Sequence, residues 1–201
     1  MKVYGAPQSP FARKVRVFAM ETGQAGTIEW VMVPLPDRGN VVPAFNPLVK
    51  IPVMERDDGS VLYDSPVICE YLDSLHQGPK LHPAGGEERW TALRLQALGD
   101  GIGDATAAIG AEGRRPPEYQ FDDFVQRQTQ KINNGLDVLE KETALLEGEL
   151  TVGQLSVACA IGYLDFRSPD FGWRDTRPKL ASWFETFSAR PSIAETVPQR
   201  P

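Results

Sequence analysis

Residues 50–71, which read KIPVMERDDGSVLYDSPVICEY, decide the fold of this chain. Residues 53–55 and 61–63 are short and rich in β-forming side chains, and the Asp-Gly pair between them predicts a hairpin. Ser65 is a good N-cap, and Pro66 suits the first helical position, so a helix is predicted to follow directly. A helix N-terminus attracts anions, although most capped helices bind no ligand, and both readings stay open on local sequence alone.

The residues before this stretch predict a strand, a helix and a second strand. Residues 2–5 form the first strand, the loop at residues 6–10 leads into a helix that ends at Gly23, and residues 27–33 form the second strand. This order predicts a right-handed βαβ unit with parallel strands, extended by the antiparallel hairpin into a mixed sheet. The four prolines between positions 34 and 47 predict a long, irregular loop.

The second half of the chain predicts helices alone. Residues 77–86 have no periodicity and mark the break, after which residues 87–113 form a long helix with Trp90 and Ile102 on its apolar face. Glycines within that helix predict close backbone approach to a partner helix or a ligand. Thr151 and Gln154 have the form of a capping box before the apolar run at residues 155–164, the predicted centre of the helical part.

Composition excludes several classes of protein. The chain has 201 residues with 21 basic and 27 acidic side chains, and a net charge of −6 argues against nucleic acid as the main partner. The longest apolar run is about half of what a membrane-spanning helix requires, and the N-terminus lacks the pattern of a signal peptide. We therefore expect a cytoplasmic protein without a membrane span, in which Cys69 and Cys159 are reduced core residues.

Several short motifs, in their order and spacing, carry a family resemblance. They are Ser9-Pro10-Phe11, Asn46-Pro47-Leu48, Lys50-Ile51-Pro52-Val53, Asp64-Ser65 with Glu70-Tyr71-Leu72, and the cap at residues 151–154. Together they resemble a cytosolic glutathione transferase over nearly the whole chain. The resemblance implies an α/β plus all-α fold, with a thioredoxin-like βαβ-ββα domain at residues 1–77 and a helical-bundle domain at residues 87–201. It also implies a homodimer that uses glutathione as co-substrate, without a metal.

The resemblance further implies which residues bind glutathione. The set comprises Lys50, Ile51, Pro52, Val53, Asp64 and Ser65. Pro52 matches the cis-proline of the family, after which Val53 would pair through its backbone with an extended tripeptide. Ser65 would bind the γ-glutamyl carboxylate at the helix N-terminus, with Asp64 orienting the amino group. Lys50 is equally compatible with a contact to the glycine carboxylate and with a solvated surface side chain.

Ser9 matches the catalytic position of the serine-type and cysteine-type branches. Because glutathione attacks as a thiolate, the site needs a hydrogen-bond donor to sulfur, and the Ser9 hydroxyl at a helix start can supply it. The alternative role of Ser9 as a simple N-cap is compatible with this one. Tyr4 is expected to be structural and Arg13 to be solvated.

The second substrate is expected between the two domains, against the long helix. Phe11, Asp100 and Asp104 are the candidates for second-substrate or cross-subunit contacts. Asp100 and Asp104 lie one turn apart and can face the same groove, but each is equally compatible with an ordinary polar helix face.

The leading functional hypothesis is an enzyme that conjugates glutathione to small hydrophobic electrophiles or reduces peroxides. The alternative is a glutathione-binding adaptor or stress-regulatory protein without activity, which calorimetry with glutathione and activity assays would distinguish. A thioredoxin-type disulfide oxidoreductase is disfavoured because the chain lacks a Cys-x-x-Cys motif.

Overall fold

The first part of the protein is built on a four-stranded mixed sheet with the strand order β2-β1-β3-β4. The structure, a computed structural model, describes residues 1–199. The strands are β1 (Lys2–Gly5), β2 (Glu29–Met32), β3 (Val53–Glu55) and β4 (Val61–Leu62). β1 pairs in parallel with β2 and antiparallel with β3, and β3 pairs antiparallel with β4. The βαβ unit and the hairpin predicted from the sequence are therefore confirmed.

All strands lie in the first part, and the regular structure of the second half of the described chain is helical. They are α1 (Pro10–Glu21), α2 (Arg38–Val41), α3 (Ser65–Leu75), α4 (Gly86–Glu112), α5 (Asp122–Lys141), α6 (Val152–Arg167), α7 (Trp173–Thr176), α8 (Pro178–Ser188) and α9 (Pro191–Ala194). Together they confirm the predicted α/β plus all-α class. Within residues 1–199, no helix combines the length and the apolar character needed to cross a membrane.

Two local predictions differ from the structure. α3 begins at Ser65 rather than after it, because the Asp64 carbonyl already accepts a helical hydrogen bond from the Ile68 N–H at 3.0 Å, which makes Asp64 the N-cap. The proline-rich segment at residues 34–47 is not irregular. One turn of 3₁₀-helix precedes α2 and another follows it. Arg38 is the first residue of α2.

The centre of the helical part is α6, which is buried along most of its length, as its uniformly apolar sequence predicts. Its predicted capping box is present, with Gln154 Oε1 accepting from the Thr151 N–H at 2.9 Å. α4 approaches α6 closely at Gly99, where a Cβ would lie 2.7 Å from the Ser156 backbone carbon. The predicted apolar face of α4 is only partly correct, since Ile102 is 2% exposed but Trp90 is 63% exposed.

Asp73 joins α3 to the segment that leads into the helical part. Its buried carboxylate accepts hydrogen bonds from the backbone N–H groups of Leu81 at 3.1 Å and His82 at 2.8 Å, and it also contacts the His76 and His82 rings. Burial raises the pKa of Asp73, but these hydrogen bonds outweigh burial and hold that pKa below its usual range. Asp73 thus anchors the apparent break in the sequence at residues 77–86, together with Lys80, which donates to the Asp73 carbonyl at 2.6 Å, and Arg89, which donates to the Pro83 carbonyl at 3.1 Å.

We expect Asp73→Ala to lower the free energy of unfolding by about 1–3 kcal/mol for each buried N–H that loses its acceptor. Because the folded-state pKa is depressed, the stabilisation by Asp73 is present above the unfolded pKa of 3.8 and is lost as the pH falls through the folded pKa. Urea unfolding at pH 7 and at decreasing pH measures both effects. Glu185→Ala, which removes an exposed carboxylate from α8, is the control. Equal stability of the two variants at pH 7 would contradict this role.

Candidate functional site

A cleft of about 970 Å³ lies between α1, α2 and the connecting loops of the first half on one side and α4 and α6 on the other. Five of the residues predicted for the site line it: Ser9, Phe11, Lys50, Ile51 and Asp104. The other five lie outside its lining: Pro52, Val53, Asp64, Ser65 and Asp100. The cleft therefore brings together the predicted catalytic serine, part of the predicted glutathione-binding set and part of the predicted set for second-substrate or cross-subunit contacts.

Ser9 caps α1 at the wall of the cleft. Its Oγ accepts a hydrogen bond from the Ala12 N–H at 3.2 Å, and its own N–H donates to the Ala6 carbonyl at 3.0 Å. The cap uses one lone pair of Oγ and leaves the hydroxyl hydrogen for a second acceptor. Ser9 is half-buried, so that hydroxyl and the positive end of the α1 dipole can act together on an anion in the cleft.

Phe11 lies where α1 meets α4. A Cβ on Gly103 would be 3.4 Å from the Phe11 ring, so the glycine allows the ring to pack directly against the α4 backbone. The predicted close approach at a glycine of α4 is therefore present here as well. Phe11 gives the cleft an aromatic wall beside Ser9.

Val53 begins β3 next to Pro52, and the Ile51–Pro52 peptide is cis. Val53 pairs with Tyr4 of β1, whereas the ladder to β4 begins one residue later, at Met54. One edge of the Val53 backbone therefore lies outside the β3–β4 ladder. Val53 is also 0% exposed, so a peptide can pair with it only if the residues that cover it move aside.

Asp64 and Ser65 stand at the N-terminus of α3, with Asp64 exposed and Ser65 buried. Asp64 also lies close enough to α4 to act on Asp100. Burial raises the pKa of Asp100, the neighbouring Lys14 opposes that rise, and the negative charges of Asp64 and Asp104 add to it. The charges of Asp64 and Asp104 are therefore felt at Asp100.

Asp100 is also one half of an ion pair that the sequence did not predict. Lys14 Nζ lies 2.7 Å from both carboxylate oxygens of Asp100, and the Lys14 side chain is only 1% exposed. The pair links α1 to α4. The sequence does indicate that Lys14 is buried, because Lys14 lies four residues from the apolar Phe18 and therefore on the same face of α1.

The expectation that Arg13 is solvated is wrong. Arg13 is 4% exposed, and its guanidinium donates to Thr196 Oγ1 at 3.2 Å and to the Ile193 carbonyl at 3.0 Å. These bonds tie α1 to α9 and to the residues that follow it. Arg13 therefore supports the position of α1, and it is not among the residues that line the cleft.

The groups that could compete with Ser9 are unsuited to the chemistry. The Tyr4 hydroxyl donates to Glu55 Oε2 at 2.7 Å, and burial together with Glu55 raises the pKa of Tyr4 to about 12. Cys69 and Cys159 are buried, and burial raises the pKa of both thiols, that of Cys69 to about 12. Among residues 1–199, no three His, Cys, Asp or Glu side chains come together in a way that could hold a metal ion.

Comparisons with known proteins identify the family of this chain. The model of the glutathione S-transferase N-terminal domain matches residues 8–75, and that of the C-terminal domain matches residues 122–186. The uncharacterized GST-like protein YibF of Escherichia coli K12 is 36% identical over 203 residues, which cover 100% of both chains.

Two solved structures of a glutathione transferase family member from Pseudomonas fluorescens Pf-5 are each 42% identical to this chain. The structure with bound glutathione has a TM-score of 0.96 and covers 99% of both chains. The structure with bound S-(propanoic acid)-glutathione has a TM-score of 0.92 and covers 100% of both. With matches to both domains and full-length similarity to these relatives, the chain belongs to the glutathione S-transferase family.

Proposed function

We propose that this protein is a glutathione transferase in which Ser9 stabilises the thiolate of glutathione for attack on a small electrophile or a peroxide. The observation that carries the proposal is the position of Ser9. The Ser9 oxygen caps α1, and the hydroxyl hydrogen is left available to donate to another acceptor. Ser9 also lines the cleft together with Lys50 and Ile51.

The chemistry requires a lowered thiol pKa. A free thiol has a pKa of about 8.5 and is mostly protonated at neutral pH. A hydrogen bond to a charged group contributes roughly 1.5–3 kcal/mol, which corresponds to a pKa decrease of about one to two units. The Ser9 hydroxyl would donate this bond to sulfur, and the α1 dipole would add to it.

The proposed binding mode divides glutathione among three parts of residues 1–77. The backbone of Val53 pairs with the cysteinyl part of the tripeptide, after the covering residues move. Ser65 and the α3 N-terminus bind the γ-glutamyl carboxylate, and Asp64 binds its amino group. Lys50 holds the glycine carboxylate. The Pseudomonas fluorescens relative, solved with glutathione bound, supports a glutathione site in this fold.

The second substrate occupies the remainder of the cleft, between residues 1–77 and the helical part at residues 87–201. Phe11 and Asp104 both line it. The Asp100 carboxylate is paired with Lys14. We therefore propose that Asp100 acts on the bound substrates through its charge, which adds to that of Asp64, rather than by direct contact.

We also propose that the working form is a homodimer in which α4 contributes to the contact. Trp90 on α4 is 63% exposed, and a large aromatic side chain is well suited to an interface core. Analytical ultracentrifugation is expected to give twice the chain mass, and Trp90→Ala is expected to weaken the association. A monomer at micromolar concentration would contradict this proposal.

Ser9→Ala should lower kcat/KM for conjugation by roughly tenfold to a hundredfold, because the donor to the thiolate is lost. The pKa of enzyme-bound glutathione, followed by the ultraviolet absorbance of the thiolate, should rise by about one to two units. Ser9→Thr, which keeps both the hydroxyl and the cap, should retain most of the activity.

Two controls separate this effect from loss of structure. Removing the cap costs about 1 kcal/mol, so urea unfolding must show that Ser9→Ala is still folded in the assay. Ser182→Ala removes an exposed hydroxyl from α8 and should change neither value. An unchanged rate and an unchanged thiol pKa in Ser9→Ala would show that Ser9 is not the donor.

A further inference from the structure

Three arginines from separate parts of the chain line the same cleft as Ser9. Arg38 begins α2, Arg114 lies just after the end of α4, and Arg167 is the last residue of α6. Tyr163 and Phe166 lie among them in the wall. One side of the cleft is therefore both aromatic and strongly basic.

These arginines lack the carboxylate partners that several other arginines of the protein have. Arg174, Arg177 and Arg190 each form an ion pair with an acidic side chain. Within residues 1–199, none of the three cleft arginines has a carboxylate within 4.0 Å.

The side-chain hydrogen bonds of Arg114 and Arg167 go to neutral groups. Arg114 Nη1 donates to the Gly110 carbonyl at 2.9 Å, and Arg167 Nε donates to the Tyr163 hydroxyl at 3.1 Å. Arg38 Nε is buried and has no hydrogen-bond partner among residues 1–199. A buried N–H without an acceptor is costly, so a ligand oxygen that reaches this atom after the surrounding groups move would form a favourable hydrogen bond.

The arginines also repel one another. Burial lowers the pKa of Arg38, Tyr163 opposes that shift, and the positive charges of Arg114 and Arg167 add to it. Lys50 adds a further positive charge to the cleft, and Asp104 adds a negative one. Three guanidinium groups and a lysine against one carboxylate leave the cleft with a positive field that an anion would offset.

We propose that Arg38, Arg114 and Arg167, with Tyr163, form the binding site for an oxyanion group on the second substrate, so that the favoured electrophiles carry a carboxylate. Guanidinium groups bind carboxylates with paired hydrogen bonds and the aromatic rings offer an apolar surface to the rest of the substrate. The inference rests on the proposed function and replaces the expectation of a purely hydrophobic electrophile with that of an anionic one.

A carboxylate in this cleft could come from two molecules. One is the electrophile, and the other is glutathione itself, through its glycine end. The two sources are separated by comparing ligands that share the whole tripeptide and differ only in the group on sulfur. S-(2-carboxyethyl)glutathione and S-propylglutathione form such a pair, because they have the same chain length but only one has the additional carboxylate.

The test is isothermal titration calorimetry of wild type and of Arg38→Gln, Arg114→Gln and Arg167→Gln with glutathione and with both conjugates. Wild type is expected to bind S-(2-carboxyethyl)glutathione roughly tenfold to a hundredfold more tightly than S-propylglutathione. Arg38→Gln should remove most of this advantage and leave the Kd values of glutathione and S-propylglutathione within about twofold of wild type. Raising the salt concentration should weaken the advantage, since charges in an open cleft are screened.

Arg127→Gln, which removes an exposed arginine on α5, is the matched control and should bind all three ligands as wild type does. Two results would overturn the proposal: equal affinity of wild type for the two conjugates, and equal weakening of all three ligands by Arg38→Gln, which would assign the arginines to the glycine carboxylate. If none of the ligands binds to wild type, the proposed function itself fails. Because wild-type glutathione binding is measured in the same experiment, the two failures are distinguishable.

Discussion

The buried ion pair between Lys14 and Asp100 is the interaction on which the geometry of the cleft depends. Lys14 is 1% exposed and cannot be left without a counter-charge in that position. Removing one member of such a pair typically costs about 3–5 kcal/mol, although a well-packed apolar pair of similar size can be equally stable. The value of the pair therefore lies less in net stability than in fixing how α1 sits on α4.

The position of α1 relative to α4 decides where Ser9 lies. Ser9 caps α1, so any rotation of α1 relative to α4 would move the serine along the cleft. Arg13, on the same helix, adds hydrogen bonds to Thr196 and to the Ile193 carbonyl, and Gly103 lets the Phe11 ring pack on α4. Three independent contacts thus hold the start of α1 against the helical part. The proposed thiolate donor is thus positioned by tertiary contacts as well as by the turn in its own loop, in which the Ser9 N–H donates to the Ala6 carbonyl.

The structural features that the sequence predicts correctly are those that depend on residues close together in the chain. The hairpin, the caps at Ser9 and Thr151, and the buried α6 follow from turn residues, side-chain oxygens and apolar patterning within a few positions, and the structure contains each of them. The family resemblance extended this to the fold and to the Ile51–Pro52 cis peptide. The predicted start of α3 is one residue too late, because helix ends depend on backbone geometry that the sequence does not determine.

What the sequence could not predict depends on residues far apart in the chain. Lys14 and Asp100 are separated by 86 positions, and the cleft arginines come from α2, the end of α4 and the end of α6. Apart from Lys14, which shares a helix face with Phe18, each of these side chains resembles an ordinary solvated charge in its local sequence. Because local sequence does not distinguish a buried arginine from a solvated one, it predicts a solvated Arg13 and does not predict the basic side of the cleft.

The most direct test of the account is a crystal structure of the protein with glutathione bound. We expect the sulfur within hydrogen-bonding distance of Ser9 Oγ and inside the cleft, with the γ-glutamyl end at the N-terminus of α3. A smaller cavity of about 410 Å³ lies on another side of α1, lined by Arg16, Trp30 and Met32. Glutathione bound there, or in the cleft with its sulfur away from Ser9, would contradict the account.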